Sequence, residues 1–539
     1  MRASTYLDAV TSSDAEAADV VIVGAGPVGL MLAIELRLAG LNPVVLDRLE
    51  RISELPKGNG LVGQVVQVLG YRGLLEPLRA ESTYSGRVPA FSFGPLQLNF
   101  SGPAQSPLHV LAIPQRRLEH VLAGRLDELG GAVRRGHEMT SFDQDRDAVT
   151  ATVTGPGGRY QVRAAYLAGC DGAHSQVRKL ARISFPGYTW PEVSRIGRVT
   201  LPEAVTVPGS GETELPGLGR IRLAQQQRMP TGMYSIALLT SLDATAAEGA
   251  YIVWTREDAG SGTGISAAPA EPGDREPPMT LAELQASFRR VTGTDVSMTE
   301  PTWLTRTVAN SRQADRYVDG RVMLAGDAAH LFGLGGSLNA GLLDAVNLGW
   351  KLAAQIQDRA PAGLLTSYHA ERHAAGRRAL LQARAQRALT ARGEAADALL
   401  EVLGELLTLP GVAHYLGELV EGSDVRYEMP GSAASRHQLT GRLAPDLRLT
   451  APDGSSSRVA ELMRQARPVL LDFTPDGRVA ATTAGDGERV PALVVRPEGE
   501  KAAADALLIR PDGIVAWASG PGAGDPAAGL AGALDAWLC

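Results

Sequence analysis

The feature that most constrains the fold is a short strand that runs directly into a glycine-rich loop and then into a helix. Residues 19–23 read Asp-Val-Val-Ile-Val, Gly24-Ala-Gly-Pro-Val-Gly29 follows without a break, and a helical pattern extends from Leu30 to Gly40. The next apolar run ends at Asp47. This order of strand, G-x-G-x-x-G loop, helix and acid-ended strand is typical of a dinucleotide-binding βαβ unit. It predicts an α/β fold with a parallel sheet and a bound nucleotide.

Each glycine of this segment, and the acid that follows it, has a physical role in such a unit. Gly24 permits the tight turn, Gly26 lets a pyrophosphate approach the backbone, and Gly29 lets the helix pack closely on the strand. The helix N-terminus offers N–H groups and partial positive charge. Asp47 is placed to accept hydrogen bonds from ribose hydroxyls. The candidate nucleotide-binding residues here are Gly24, Gly26, Pro27, Val28, Gly29, Asp47 and Arg48.

Length and charge narrow the class of protein. The chain has 539 residues, with 52 basic and 59 acidic side chains, so its formal net charge is −7. At ~150 residues per domain, this length predicts about three to four domains. A net acidic chain is a poor match to nucleic acid or to an anionic membrane surface, because phosphate binding needs a basic face.

Cysteine content and apolar segments give two further exclusions. Only Cys170 and Cys539 occur, which excludes a disulfide framework and a cysteine-ligated zinc site. Residues 1–18 lack the apolar segment of a signal peptide, and no run of residues is long and apolar enough to span a membrane. We therefore expect a cytoplasmic protein with no membrane and no nucleic-acid partner.

Two later segments indicate which nucleotide is bound. Leu167-Ala-Gly-Cys-Asp171-Gly172 is a strand that ends in Asp-Gly, and Arg321-Val-Met-Leu-Ala-Gly326-Asp327 is a strand that ends in Gly-Asp. Taken singly, such dipeptides are turn signals. Together with Gly24 to Gly29, and in this order, they resemble the three motifs of the single-component flavoprotein monooxygenases of the para-hydroxybenzoate-hydroxylase-like class. The resemblance spans roughly residues 19–375.

The resemblance implies that the nucleotide is FAD. It implies that Asp327 hydrogen-bonds the ribitol chain and that the backbone of Gly336, Leu338 and Asn339 lies at the isoalloxazine. The helix that begins there would point its N-terminus at the N1–C2=O edge of the ring. The helix dipole is what a reduced, anionic flavin needs at that edge.

Four more positions follow from the same resemblance. Asp171 lies in a motif linked in the family to both FAD and NAD(P)H binding, and Gln115 matches a glutamine that contacts FAD. The backbone near Met139 corresponds to a position beside the adenine. Where the family usually has an arginine near the flavin, this chain has Lys57, which keeps the charge without the planar guanidinium. The loop after Asp327 is also shorter than in the family and lacks its proline.

Residues 441–539 have a β/α pattern of their own. Apolar runs at 468–472 and 505–517 read as strands, Pro-Asp-Gly at 511–513 as a hairpin turn, and a final helix ends near Trp537. The region resembles the thioredoxin-like appendage of the aromatic polyketide hydroxylases. It contains no C-x-x-C motif, which excludes thioredoxin-type redox chemistry and leaves packing or dimer contacts as its role.

The predicted fold class is α/β, with a Rossmann-type FAD-binding domain, an interleaved antiparallel-sheet substrate domain and a C-terminal thioredoxin-like domain. The expected limits are a disordered N-terminal extension at 1–18, a discontinuous FAD-binding domain at 19–185 and 300–395, a substrate domain at 186–299 with contributions from about 80–112, a helical region and linker at 396–440, and the thioredoxin-like domain at 441–539.

The function that the resemblance implies is that of an FAD-dependent monooxygenase, with NADPH or NADH as a transient reductant. It would hydroxylate a polycyclic aromatic, polyketide-type substrate through a flavin C4a-hydroperoxide. The sequence indicates no catalytic side chain and no metal site, so the chemistry would belong to the cofactor. Baeyer–Villiger oxygenation and a flavin dehydrogenase remain alternatives, as do a monomer and a homodimer. Candidate pocket residues, with ordinary core packing as the alternative, are Phe91, Phe93, Trp190 and Tyr234.

Overall fold

The computed structural model describes residues 15–539 except 56, 59, 101, 103–104, 208–209, 244, 259–276, 334, 392, 431–436, 484–489, 500–502, 521–523 and 539. Most of the expected N-terminal extension therefore lies outside the described residues, as does Cys539.

The first part of the chain alternates strands with helices. Its elements are β1 (Glu16–Val23), α1 (Pro27–Leu38), β2 (Val44–Asp47), β3 (Leu61–Val62), α2 (Gln64–Tyr71), α3 (Leu75–Ala80), β4 (Tyr84–Arg87), β5 (Ala90–Phe93), β6 (Leu96–Asn99), β7 (His109–Ala112), α4 (Gln115–Glu128), β8 (Val133–Arg135), β9 (Glu138–Gln144), β10 (Val149–Gly155), β11 (Gly158–Gly169) and α5 (Gln176–Leu180). A β-rich part follows, with β12 (Gly187–Thr200), β13 (Val205–Val207), β14 (Glu212–Leu215), β15 (Gly219–Arg222), β16 (Gln227–Met229), β17 (Gly232–Leu238), β18 (Ala250–Glu257), α6 (Leu281–Thr292) and β19 (Thr299–Gln313).

The second half contains the long helices and the C-terminal region. Its first elements are β20 (Val318–Asp319), β21 (Val322–Leu324), β22 (His330–Leu331), α7 (Ser337–Ile356), α8 (Thr366–Ala388), α9 (Glu394–Leu406) and α10 (Val412–Glu421). The C-terminal region contains β23 (Arg448–Thr450), β24 (Ser456–Arg458), α11 (Val459–Leu462), β25 (Val469–Asp472), α12 (Arg478–Ala481), β26 (Ala492–Val494), β27 (Arg496–Pro497), β28 (Ala506–Ile509), β29 (Val515–Ser519) and α13 (Leu530–Trp537).

The parallel sheet predicted from the glycine-rich loop is present. β1 pairs in parallel with β2 on one side and β11 on the other, β2 pairs with β8, and β11 pairs with β21. Val20, Val21 and Ile22 of β1 are fully buried, as expected for a central strand of a covered sheet. β1 begins at Glu16 rather than at Asp19, because its backbone pairs with Val162 from that residue onward. The α/β fold class is confirmed.

A second, antiparallel sheet has the strand order β16-β17-β18-β12-β19-β22. α6 covers one of its faces, where Phe288 packs edge-to-face on Tyr234 with ring centroids 5.4 Å apart. β19 pairs with β12 along most of its length, so it lies in this sheet, although the expected boundary at residue 299 assigns it to the FAD-binding domain. The domain limits stay a prediction.

The C-terminal region contains a four-stranded mixed sheet with the order β26-β25-β28-β29. β25 pairs in parallel with β26 and antiparallel with β28, and α13 packs on the sheet through Leu534 and Trp537. This is the thioredoxin-like arrangement predicted from the sequence.

Helix α7 joins the first and last parts of the fold. A Cβ atom at Gly341 would lie 2.7 Å from Val28 of α1, and one at Gly349 would lie 2.4 Å from Glu35 of α1, so the two helices approach closely. Trp350 of α7 shares an apolar cluster with Trp537 of α13. Among the described residues, no helix combines the length and the apolar character needed to cross a membrane.

Candidate functional site

The three sequence motifs meet at the carboxyl ends of neighbouring parallel strands, which is where open α/β sheets bind their ligands. Backbone hydrogen bonds join the segments that leave these strands: Gly24 N donates to Leu46 O (2.7 Å), Cys170 N to Val23 O (2.8 Å) and Ala325 N to Gly169 O (3.0 Å). The glycine-rich loop, the Asp-Gly motif and the Gly-Asp motif therefore form one continuous edge.

The glycines of the first motif are required for different reasons. Gly24 has a φ of +101°, and a Cβ atom there would lie 2.4 Å from Cys170 O. A Cβ atom at Gly29 would lie 1.9 Å from Gly24 O. At Gly26, in contrast, φ is −72° and an added Cβ would meet nothing within 4 Å. The protein itself needs Gly24 and Gly29, whereas the open space at Gly26 fits a cofactor phosphate lying against the backbone.

Asp47 is held beside this loop by the backbone. Its Oδ2 accepts from Ala25 N at 2.8 Å and its Oδ1 accepts from Leu49 N at 2.8 Å. Arg135 lies 3.9 Å away, and Arg48 is exposed. A carboxylate can accept about four hydrogen bonds, so Asp47 keeps acceptor capacity for the ribose hydroxyls of a nucleotide.

Two further carboxylates face the same edge. Asp171 Oδ2 accepts from Gln176 N (2.6 Å) and Val177 N (3.1 Å) at the start of α5, whereas its Oδ1 is buried with no partner among the described residues. Burial raises the pKa of Asp327, although the charges of His330 and Lys57 oppose the effect. Hydroxyl donors from a bound ligand would satisfy both carboxylates.

The remaining predicted cofactor residues lie around this edge. Lys57 is exposed, and its positive charge acts on the pKa of both Asp327 and Glu119. Gln115 begins α4, where its Nε2 donates to Glu119 Oε1 at 2.8 Å. Met139 is a buried core residue of β9, so only its backbone is available to a ligand. The roles of these three residues in cofactor binding stay predictions.

The N-terminus of α7 is built to attract negative charge. Gly336 caps the helix with a φ of +89°, no side chain caps the first turn, and no acidic residue lies in it. Asn339 Oδ1 accepts from Val62 N at 3.3 Å, and Leu338 packs beside Gly58. An uncapped terminus of a 20-residue helix offers N–H groups and partial positive charge to an anion.

A buried group of charges centred on Asp344 fixes this terminus from behind. Asp344 Oδ2 lies 2.6 Å from His330 Nε2 and accepts from Gly326 N at 3.0 Å, while Oδ1 accepts from Arg372 Nε at 2.7 Å. Burial alone would raise the pKa of Asp344, but His330 and Arg372 hold it below its ordinary value. Arg372 also donates to Ala340 O in the first turn of α7. The cluster therefore ties the Gly-Asp motif to α7.

A cavity of about 480 Å³, here called the helix cavity, begins at this terminus. It follows one face of α7, formed by Gly336, Asn339, Ala340, Leu343, Val346 and Asn347, and one face of α8. Phe91 of β5 lies in its wall, as the sequence suggested. Leu443, Asp512 and Ile514 of the C-terminal region close it.

A second cavity of about 430 Å³, here called the sheet cavity, lies on the antiparallel sheet. Trp190, Glu192 and Trp254 line it, and Arg387 pairs with Glu192 at 2.5 Å while stacking on Trp190 at 4.8 Å. Phe332 lines both cavities.

Two of the four aromatic candidates line neither of these two cavities. Phe93 is buried in the small core between the β5–β6 hairpin and α9–α10, and Tyr234 is buried under α6. The most important residues missed from the sequence are Asp344, Arg372 and Phe332. A signal for Asp344 was present, because a charged residue inside an otherwise apolar helix needs a buried partner.

The site combines parallel strands with a glycine-rich loop, a carboxylate with an unpartnered buried oxygen (Asp171), a second whose pKa is raised by burial (Asp327) and an uncapped helix at a cavity. Together these features define a dinucleotide-binding flavoprotein. The comparisons agree: residues 17–383 match the family described as FAD binding domain, and residues 437–539 match the family described as aromatic-ring hydroxylase, C-terminal. The chain belongs to this family of FAD-dependent aromatic hydroxylases, and it is a monooxygenase.

Three relatives show how far the likeness extends. The chain is 39% identical over 529 residues to a 12-dehydrotetracycline 5-monooxygenase/anhydrotetracycline 6-monooxygenase of Streptomyces rimosus, covering 96% of this chain and 98% of that one. It is 36% identical over 524 residues to a dialkyldecalin synthase of Streptomyces rugosporus, with the same coverage of 96% and 98%. The solved structure of the anhydrotetracycline hydroxylase OxyS from Streptomyces rimosus superposes with a TM-score of 0.81 at 37% identity, covering 97% of this chain and 99% of that one.

Gly24 and Gly26 are needed for different reasons, so we expect Gly24→Ala and Gly26→Ala to have different effects. We expect Gly26→Ala to keep the stability of the cofactor-free protein within about 0.5 kcal/mol of wild type, because its Cβ meets no protein atom. It should nevertheless weaken FAD binding by roughly tenfold or more, because the methyl group occupies the space for the phosphate.

Gly24→Ala serves as the matched comparison, since the same methyl group there meets Cys170 O and the backbone is left-handed. We expect it to lower the stability of the cofactor-free protein itself. Urea unfolding of both apoproteins and FAD titration by fluorescence quenching separate the two effects. Wild-type FAD affinity in Gly26→Ala would show that no phosphate lies there.

Proposed function

We propose that the protein hydroxylates a polycyclic aromatic, polyketide-type substrate, with NADPH or NADH as reductant and dioxygen as co-substrate. The observation that carries the proposal is the helix cavity, which begins at the uncapped N-terminus of α7 and holds space for a ligand larger than one ring. The names of the tetracycline-type relatives support the same substrate class.

The residues present fit FAD at the strand edge. The open backbone at Gly26 and the N-terminus of α1 would hold the pyrophosphate, Asp47 the adenosine ribose, and Asp171 and Asp327 hydroxyl groups of the ribitol side. When bound and reduced, FAD supplies the reaction with dioxygen at its C4a atom and the transfer of one oxygen atom. We assign no nucleophilic role to a side chain of the protein.

The side chains around the cavities would bind and orient the substrate and exclude water from it. The N-terminus of α7 stabilises negative charge at the place predicted for the ring, and Asp344 and Arg372 keep that terminus fixed. Phe332, stacked on His330 with parallel rings whose centroids are 4.9 Å apart, lines both the helix cavity and the sheet cavity. The apolar part of the wall, which includes Phe91, Phe332, Leu343 and Val346, would shield the reacting ring from water and so favour oxygen transfer over release of peroxide.

The test is the mass of the product formed by the FAD-loaded protein from anhydrotetracycline, NADPH and isotope-labelled dioxygen. One labelled oxygen atom on an intact ring system is the expected result. A labelled lactone would indicate Baeyer–Villiger oxygenation instead. Substrate-stimulated NADPH oxidation that consumes no dioxygen would indicate a flavin dehydrogenase. A purified protein that stays colourless after FAD loading would contradict the proposal as a whole.

A further inference from the structure

The helix cavity extends well beyond the place predicted for the flavin. Its α7 wall runs from Gly336 to Asn347, and the eight residue steps from Asn339 to Asn347 span ~12 Å of helix axis. A single aromatic ring beside Asn339 would leave the far part of the cavity empty. Several fused rings would fill it.

The far end of the cavity is closed by the C-terminal region. Leu443 and Ile514, joined by a β-bridge, stand in its wall, and both are partly exposed although they lie between the two parts of the molecule. Asp512, two residues before Ile514, accepts from Asn347 Nδ2 at 3.0 Å, which places this wall beside Asn347, near the middle of α7.

Asn347 supplies one polar group at this end. Its Nδ2 donates to both Glu371 (2.7 Å) and Asp512 (3.0 Å), and two carboxylates require an amide nitrogen rather than an oxygen at that position. Its Oδ1 therefore points away from them, and it has no hydrogen-bond partner among the described residues. Asn347 is only 2% exposed, so an unsatisfied acceptor there is costly unless a ligand donates to it.

We propose that the far end of the helix cavity is a subsite for the distal rings of an elongated polycyclic substrate. Leu443 and Ile514 of the C-terminal region form its apolar wall, and Asn347 Oδ1 accepts a hydrogen bond from a substrate hydroxyl. The C-terminal region thus determines the length of substrate that the enzyme accepts. This inference rests on the proposed function, because it takes the polycyclic substrate from there.

The test compares two identical substitutions in the C-terminal region, Leu443→Phe and Leu493→Phe. Leu443 faces the cavity, whereas Leu493 lies on the edge strand β26 and is also partly buried but lines neither cavity. Dissociation constants for anhydrotetracycline, with four rings, and naphthol, with two, are measured from the change in flavin absorbance of the oxidised FAD-loaded proteins. This readout needs no turnover.

In Leu443→Phe, the ratio of the dissociation constant of anhydrotetracycline to that of naphthol should rise roughly tenfold or more, because an overfilled apolar pocket discriminates by this amount. In Leu493→Phe the ratio should stay at the wild-type value. Circular dichroism and bound FAD verify folding, and Ile514→Phe replaces Leu443→Phe if that variant does not fold. An unchanged ratio in a folded variant, an equal weakening of both compounds, or no binding of anhydrotetracycline to wild type would overturn the subsite. Binding without oxygen transfer would instead contradict the proposed function alone.

Discussion

Asp344→Ala is expected to lower the free energy of unfolding by about 3–5 kcal/mol, because it removes one side of a buried ion cluster. Asp344 is fully buried, and it is the acceptor for Gly326 N, His330 and Arg372 together. Without it, the Arg372 guanidinium stays buried without its carboxylate, and the Gly-Asp motif loses its link to α7. The variant should therefore also retain less FAD.

Urea unfolding of the apoprotein and the ratio of flavin to protein absorbance measure the two effects. Asp295→Ala is the matched control, since Asp295 pairs with Arg289 at 3.5 Å on the surface and its side chain is 79% exposed. Such a pair contributes at most ~1 kcal/mol, so the control should resemble wild type. An Asp344→Ala protein with the wild-type unfolding midpoint and full FAD content would refute the role of the cluster.

The lowered pKa of Asp344 also makes the stability of the protein depend on pH. The pKa of Asp344 is lowered in the folded protein, whereas an unfolded aspartate titrates near 3.9, so the unfolded chain binds more protons between those two values. Stability is therefore fully present above about pH 4 and falls as the solution becomes more acidic. Asp344→Asn should show a shallower loss below about pH 4 in urea unfolding. An equal slope in both proteins would assign the acid sensitivity elsewhere.

Arg510→Ala is expected to have a comparably large effect and to loosen the C-terminal region from the rest of the molecule. Arg510 is fully buried and donates to Glu371 through both terminal nitrogens (2.7 and 2.9 Å) and to Asp512 at 2.5 Å. Burial alone would raise the pKa of Glu371, but Arg510 and then Lys351 hold it below the ordinary value. Without Arg510, two buried carboxylates share one lysine.

We expect a loss of about 3–5 kcal/mol in the free energy of unfolding and faster proteolysis between α10 and β23. Arg510→Lys should recover only part of the loss, because an ammonium group cannot form both bidentate pairs. Arg478→Ala is the control, since Arg478 forms an exposed pair with Asp476 in the same region. A variant that unfolds in one step at the wild-type midpoint would show that the buried pair does not hold the region in place.

The local motifs could be predicted from the sequence because each consists of neighbouring residues. The turn at Gly24, the strand before it and Asp47 after it are determined within one βαβ unit, and the structure places them as expected. The buried clusters could not be predicted in the same way. Glu371 and Arg510 are 139 residues apart and Asn347 and Asp512 are 165 apart, and nothing in the local spacing pairs them.

The aromatic candidates show a second limit of prediction from the sequence, which arises because a strand has two faces. Tyr234 pairs with Thr255 on the face covered by α6, whereas Trp254, which pairs with the next residue of β17, lines the sheet cavity. Alternation along a strand tells which residues share a face. The alternation does not show which face carries the cavity. The sequence therefore indicates Tyr234 as a pocket residue and gives no reason to choose Trp254.

The pairing of Glu371 with Arg510 also has a consequence for the order in which the protein is made. Arg510 follows Glu371 by 139 residues, and ribosomes add roughly 5–20 residues per second. Glu371 of helix α8 is therefore synthesised roughly 7–28 s before Arg510, the second cation that pairs with it after Lys351. During this interval Lys351, which precedes Glu371 in the chain and pairs with it at 2.8 Å in the folded protein, is present, but the bidentate pair with Arg510 is still missing. Final closure of the two parts around α7, and with it the complete substrate cavity, is an event that follows synthesis of the last strands.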